Sequence, residues 1–242
     1  METLKTAGRA MDVLLALAEH GAMSPTEISR TTGLNRTVVH RLLATLHSRG
    51  FVRRTGELYR PGAVFVRFAQ LVEPELRLAA LPVMQPLAAA TGETAVLSVP
   101  DDSEIVAVEQ VVGRAHPVRV EYDLGGRRPL RRGASGRAVL AFLGESAVQA
   151  AVAMADDPPL LARQLEEVQR VGYATSHDEL RQGVHGIAAP VYGGEGRPLA
   201  SLSLLAPATR AAELVSHTER VLAAAREISS LITADRAPQA AI

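Results

Sequence analysis

Residues 24–49, SPTEISRTTGLNRTVVHRLLATLHSR, constrain the fold more than any other stretch, because they read as two helices joined by a tight turn. Ser24 can cap the first helix, Pro25 suits its first helical position, and Glu27 completes an S-x-x-E capping box. Gly33 ends that helix, and Asn35 caps the next one after Leu34. In the second helix Val39, Leu42, Leu43 and Leu46 fall at i, i+3, i+4 and i+7, one buried stripe. That leaves Arg36, Thr37, His40, Arg41 and Thr45 outside, a cationic, hydrogen-bonding face of the kind that meets phosphates and major-groove base edges. An ordinary helical hairpin with a solvated polar face has the same geometry.

The formal net charge of zero conceals an asymmetry. Residues 1–72 hold ten Lys/Arg against five Asp/Glu, while residues 73–242 hold sixteen against twenty-one. A basic front and an acidic rear imply that only the front touches a polyanion. There is no cysteine, which excludes disulfides, thiolate metal sites and a Cys nucleophile. The apolar run Val13–Ala18 is bracketed by Asp12 and Glu19, so it reads as an amphipathic helix and not an export signal. No run approaches the roughly 20 apolar residues that span a bilayer. We therefore expect a cytoplasmic protein with no membrane partner.

The first helix covers about residues 4–20, with Ala10, Val13, Leu14 and Leu17 as its buried stripe and Gly21 as its stop. After the helix pair, FVRR and ELYR flank Thr55-Gly56 and read as a hairpin with a basic tip. Three helices and a two-stranded wing make a winged helix, expected over residues 1–62. Its Arg53, Arg54 and Arg60 would lie along a phosphate backbone, and Thr26 at a helix N-terminus would donate to a phosphate. Residues 63–74 read as a linker whose helix, AVFVRFAQLV, is too apolar to stand uncovered; the rear domain or a second chain would cover it.

Residues 75–236 read as one α+β domain. A helix from about Glu75 is expected to break near Pro82 and resume to Thr91. Strands follow at 94–100, 104–112 and 117–122, then a Gly- and Arg-rich loop, and helices at about 135–143, 145–155 and 160–171. Strands at about 187–192 and 198–205 and a long helix over about 213–234 complete it, with residues 237–242 as a tail.

The chain resembles the IclR-type bacterial transcription regulators over nearly its whole length. The front carries the likeness in RAMDVLLALAEHG, PTEISRTTGLNRTVVHRLLATLHSRGFV and LYRPGAVF, and the rear in RRGASGRAVLAFL, GYATSHDELRQGVHGIAAPVY and PLASLSLLAP. The resemblance implies an N-terminal winged helix-turn-helix, a linker helix that helps dimerise, and a GAF/PAS-like α+β effector domain. It also implies a homo-oligomer, dimer or dimer of dimers, that binds a pseudo-palindromic double-stranded operator and responds to a small organic effector.

The RRGASG loop enters a helix whose first-turn N–H groups, at Ser135, Gly136 and Arg137, would be free to receive a carboxylate. The plainer alternative is that Ser135 caps the helix and Gly136 packs closely; the resemblance favours the ligand, with Ala134 beside it. By resemblance, Ser176, Asp178 and Glu179 lie where the family's pockets carry a polar or acidic group, and Ser203 points inward from the last strand. Gly186 stands where the family often has Cys, and Leu205 replaces a frequent serine. Both changes disfavour a very small keto acid, so we expect a carboxylate or aromatic acid walled by Val118, Val120, Leu124 and Leu130. Arg127, Arg128, Arg131 and Arg132 would attract the anion, although a solvated loop is the plainer reading for most of them.

No cofactor is expected. GASG lacks the G-x-S-x-G elbow, and neither a phosphate-binding G-x-x-x-x-G-K-[ST] loop nor an H-E-x-x-H pair occurs. These absences weigh against the main alternative, an enzyme in the rear domain. Four Tyr, four Phe and no Trp provide little stacking surface for single strands, which weighs against a DNA- or RNA-coating protein.

Overall fold

A computed structural model describes residues 4–194 and 196–235, so the tail at 237–242 lies outside the described residues. The chain falls into two compact units that divide between Val72 and Glu73, inside the segment read as a linker.

In the first unit α1 (Lys5–His20), α2 (Pro25–Thr32) and α3 (Arg36–Ser48) precede a hairpin of β1 (Val52–Thr55) and β2 (Leu58–Pro61). The capping box forms as its spacing predicts: the Glu27 amide donates to Ser24 Oγ at 3.3 Å, and Ser24 N–H donates to Glu27 Oε2 at 2.7 Å. Asn35 Oδ1 receives the Thr37 N–H at 2.9 Å. Val39, Leu42, Leu43 and Leu46 are all buried, against Val13, Leu17, Ile28 and Val52. At about 1.5–3 kcal/mol for each large apolar side chain, this small core accounts for much of the unit's stability. The seven-residue α4 (Val64–Gln70) closes the unit and has no buried residue; Phe65 and Phe68 lie against Phe51, with centroids at 5.7 and 6.2 Å.

The second unit opens with α5 (Pro74–Thr91), which runs unbroken through Pro82 and Pro86, contrary to the break expected at Pro82. Both prolines sit on the exposed face, one turn apart, so the carbonyls they leave without an amide face water. β3 (Thr94–Asp101) and β4 (Glu104–Val111) form a hairpin, followed by a short β5 (Arg127–Pro129) inside the segment expected to be all loop. Next come α6 (Gly133–Leu140), α7 (Glu145–Ala153), α8 (Pro158–Val171), β6 (Ala174–His177), β7 (Val184–Tyr192) and β8 (Pro198–Pro207). The final helix is two pieces, α9 (Ala211–Ser216) and α10 (Thr218–Asp235), where one was expected.

The sheet has the order β5-β4-β3-β8-β7-β6 and is antiparallel throughout, two three-stranded meanders joined by the β3–β8 pair. Alternation assigns its faces. Ala95, Leu97, Leu202 and Leu204 pack on α5 and α10, while Ala188 packs on α6 and α8. On that second side, Val96, Ala107 and Leu205 meet Val120 of the strap that precedes β5. This strap, residues 117–122, is not a strand of the sheet. Side chains hold it instead: Thr94 Oγ1 donates to Val120 O at 2.5 Å, and the Gln110 amide clamps both backbone groups of Tyr122 at 2.9 Å. Its Val-x-Val-x-Tyr alternation imitates a strand, yet the β4 edge is taken further on by β5.

Candidate functional site

In the first unit all nine residues read as DNA contacts are exposed: Thr26, Arg36, Thr37, His40, Arg41, Thr45, Arg53, Arg54 and Arg60. Burial of the apolar stripe turns Arg36, Thr37, His40, Arg41 and Thr45 outward along one side of α3. None of the arginines among these nine is paired with a carboxylate among the described residues. The Thr45 hydroxyl donates to Arg41 O at 3.0 Å, which leaves its oxygen to accept. In the wing, Arg53 and Arg60 are direct cross-strand partners. Like charges so placed repel and are relieved by an anion between them. Arg54 instead donates to Gly56 O at 2.8 Å and lies over the Tyr59 ring. A shallow groove between α1 and α3 adds Arg9 beside Arg41, a cation with no local signal in the sequence, because α1 reads as a purely structural helix.

In the second unit a partly open cavity lies under the strap. Val120, Leu180, Val184, Leu205 and Ala134 form its apolar wall; Tyr122, Ser135 and Ser176 contribute hydroxyls, and Asp123, Arg128 and Arg181 contribute charge. It offers about 40 Å³ to the centres of water molecules, where one water needs about 10–15 Å³. Anything larger than a few waters therefore requires its rim to move. Burial raises the pKa of the Tyr122 phenol, although Arg128 and Arg181 pull it back, so the hydroxyl is a neutral donor near pH 7.

Of the twelve residues read as effector contacts, Val120, Ala134, Ser135 and Ser176 line this cavity. Gly186 lies beneath it: a Cβ there would sit 2.9 Å from Leu205 Cδ2 and 3.1 Å from Ser176 Oγ, so the glycine leaves room for the leucine. The others lie elsewhere. Val118 and Leu124 are 64% and 50% exposed on the outside, and Leu130 is buried in the core under α6. Ser203 donates to Val96 O at 3.2 Å within the sheet. Asp178, with φ of 58°, accepts from Gly183 N–H at 2.5 Å and stands 3.5 Å from His185 Nε2.

The helix N-terminus differs most from the sequence reading. α6 starts at Gly133, two residues earlier than expected, so Ser135 lies inside the first turn rather than capping it. The carboxylate at that end is the protein's own. Glu179 accepts from Gly133 N–H at 3.0 Å and from both terminal nitrogens of Arg137 at 2.5 and 2.6 Å. Arg137 is only 3% exposed. Gly136 is not among the residues that line the cavity; a Cβ there would lie 2.4 Å from Leu130 O, so the glycine permits close backbone approach. Of the four loop arginines, Arg127 is tied to Asp101 and Glu104, and Arg132 donates to Glu179 O. Only Arg128 reaches the cavity. Tyr122, Asp123, Leu180, Arg181 and Val184 were not legible as cavity residues, because the folding of two loops, and no spacing motif, brings them together. Among the described residues no cluster of His, Asp and Glu is arranged to hold a metal ion, and no helix is long and apolar enough to cross a membrane.

An exposed cationic helix beside a basic wing, with a cavity-bearing α+β unit in the same chain, defines a winged-helix DNA-binding regulator. Residues 6–56 match the IclR helix-turn-helix domain, and residues 68–230 match the bacterial transcriptional regulator IclR C-terminal domain. The chain belongs to the IclR family of DNA-binding transcriptional regulators, and it is a regulator rather than an enzyme. It is 31% identical to the HTH-type transcriptional regulator KipR of Bacillus subtilis strain 168, over 94% of this chain and 97% of that one. An IclR transcriptional regulator from Alicyclobacillus acidocaldarius shares the fold with a TM-score of 0.80 at 24% identity, covering 95% and 99% of the two chains. So does an IclR homolog from Microbacterium hydrocarbonoxydans complexed with 4-hydroxybenzoate, with a TM-score of 0.79 at 23% identity, covering 94% and 99%.

Proposed function

We propose that a small organic acid, bound in the cavity beneath the strap, sets the affinity of the winged helix for a pseudo-palindromic operator. The cavity is the observation that carries this reading: an apolar wall, three hydroxyls, and two guanidiniums that share one carboxylate. The Microbacterium homolog held with 4-hydroxybenzoate supports an acid of that kind. On the DNA side Arg36, Thr37, His40 and Arg41 read base edges from α3, with Thr45 beside them, while Thr26, Arg53, Arg54 and Arg60 hold phosphates. Two copies of the chain meet two half-sites, and the regulator works in the cytoplasm beside the chromosome.

Coupling of this kind requires that the effector bind two arrangements of the protein with different affinity. A gel-shift titration of the full chain on the DNA upstream of its own gene, with and without organic acids, tests it. The expected result is preference for that DNA over an unrelated duplex at moderate salt, changed about 5- to 150-fold by the effector. Equal affinity for both duplexes under every condition overturns the reading.

A further inference from the structure

We infer that Asp123 is a built-in stand-in for the effector's carboxylate, held between Arg128 and Arg181 at the mouth of the cavity until an organic acid takes its place. The inference rests on the reading of the cavity as the effector site. Arg127 is fixed by Asp101 and Glu104 at 2.6 and 2.5 Å, and Arg137 by Glu179 at 2.5 and 2.6 Å. Arg210, behind the strap, is fixed by Glu93 at 2.5 and 2.9 Å. Each of these is a close, hydrogen-bonded pair.

The rim is different. Asp123 Oδ2 stands 3.9 Å from Arg128 and 3.8 Å from Arg181, and neither pair closes to a hydrogen bond. One carboxylate therefore serves two cations, loosely, and it is 72% exposed. The other bonds of these two arginines go to backbone carbonyls, Arg128 to Arg127 O at 2.8 Å and Arg181 to Glu121 O at 3.4 Å. A loose, solvated pair contributes little, whereas a carboxylate seated on a guanidinium fork makes two parallel charged hydrogen bonds. Exchange of Asp123 for a ligand's carboxylate therefore gains hydrogen bonds and leaves Asp123 in water. At the α6 N-terminus Glu179 already takes the Gly133 N–H. Below the rim, Val120, Val184 and Leu205 wall an apolar body, and Ser135 and Ser176 offer hydroxyls to a polar substituent on it. The ligand class is a monocarboxylate with a compact apolar body.

Calorimetric titration of the full-length protein with 4-hydroxybenzoate and its neutral counterpart 4-hydroxybenzamide tests the exchange. Asp123→Asn is expected to tighten the acid about threefold to tenfold and leave the amide unchanged. Arg181→Gln and Arg128→Gln are each expected to weaken the acid about tenfold or more, the size of a charged hydrogen bond, and again to spare the amide. Unchanged or weaker acid binding by Asp123→Asn overturns the proposal, as does equal affinity of wild type for acid and amide, or no binding of either probe at about 10 mM. Operator affinity of the same proteins separates the two readings. An acid that binds with this Asp123 dependence yet leaves operator affinity unaltered defeats the regulatory reading alone. An acid that shifts operator binding identically in wild type and Asp123→Asn defeats the exchange alone.

Discussion

The Glu179 carboxylate carries a prediction whose sign follows from its surroundings. Burial pushes its pKa up, but the hydrogen bonds from Arg137 and Gly133 N–H outweigh burial and hold it below the usual value. A group with a depressed folded-state pKa stabilises the protein above its unfolded value, near pH 4.5, and that contribution fades as pH falls through the folded value. Glu179→Ala leaves the Arg137 guanidinium buried without a counter-ion, which costs about 3–5 kcal/mol at pH 7. Denaturant melts of the second unit from pH 7 downward check this: the gap between wild type and variant shrinks only on acidification, and a gap constant with pH defeats the assignment. The pair also shows where single-residue reading stops. In RRGASGR, Arg137 looks like one more solvated cation, and in HDELRQG, Glu179 and Arg181 look like neighbours in one exposed turn. The turn sends Glu179 to Arg137 and Arg181 to the cavity rim, and nothing in the local sequence separates the two.

Elements whose chemistry is local were legible, and those held by distant groups were not. Ser24, Glu27, Asn35 and the Val39–Leu46 stripe specify α2 and α3 from within a 25-residue span, so caps and buried face agree with the sequence reading. The strap at 117–122 has strand alternation but is fixed by Thr94, Gln110 and Arg210, and no periodicity reports those partners. For the DNA-facing elements, position predicts two distinct phenotypes. Arg41→Ala on α3 weakens operator binding by about 1–3 kcal/mol and relaxes preference at one base pair. The wing variants Arg53→Gln and Arg60→Gln weaken all duplexes alike and each reduce the salt slope by about one unit. Removing one of two directly opposed arginines relieves repulsion in the free protein, so the wing variants melt no lower than wild type. Fluorescence anisotropy over a salt series, on operator and scrambled DNA, distinguishes them; a wing variant that alters base preference sinks the division.

At the scale of the whole molecule, the proposed recognition of two half-sites places a demand that one chain does not meet. Reading two half-sites takes two copies of α3 at a fixed separation, and a link between the copies turns the second contact into an intramolecular one. In α4 and at its end, Val66, Phe68 and Leu71 are exposed, a run of apolar surface on a seven-residue helix that a partner would gain by covering. Covering it with the same helix of a second chain meets both demands, consistent with the linker role that the family resemblance implies. The variant Val66→Glu with Leu71→Glu places carboxylates on both sides of such a seam, where they repel and lose solvent together. Sedimentation equilibrium is expected to show a shift from dimer toward monomer at micromolar concentration. Operator affinity falls with it, by about 100-fold or more where the two half-site contacts become independent. Phe65 and the Phe51 contact are untouched, so the first unit keeps its melting behaviour. Dimers and operator affinity that both survive the double substitution place the seam elsewhere, because two charges at the centre of an apolar interface are not absorbed without loss.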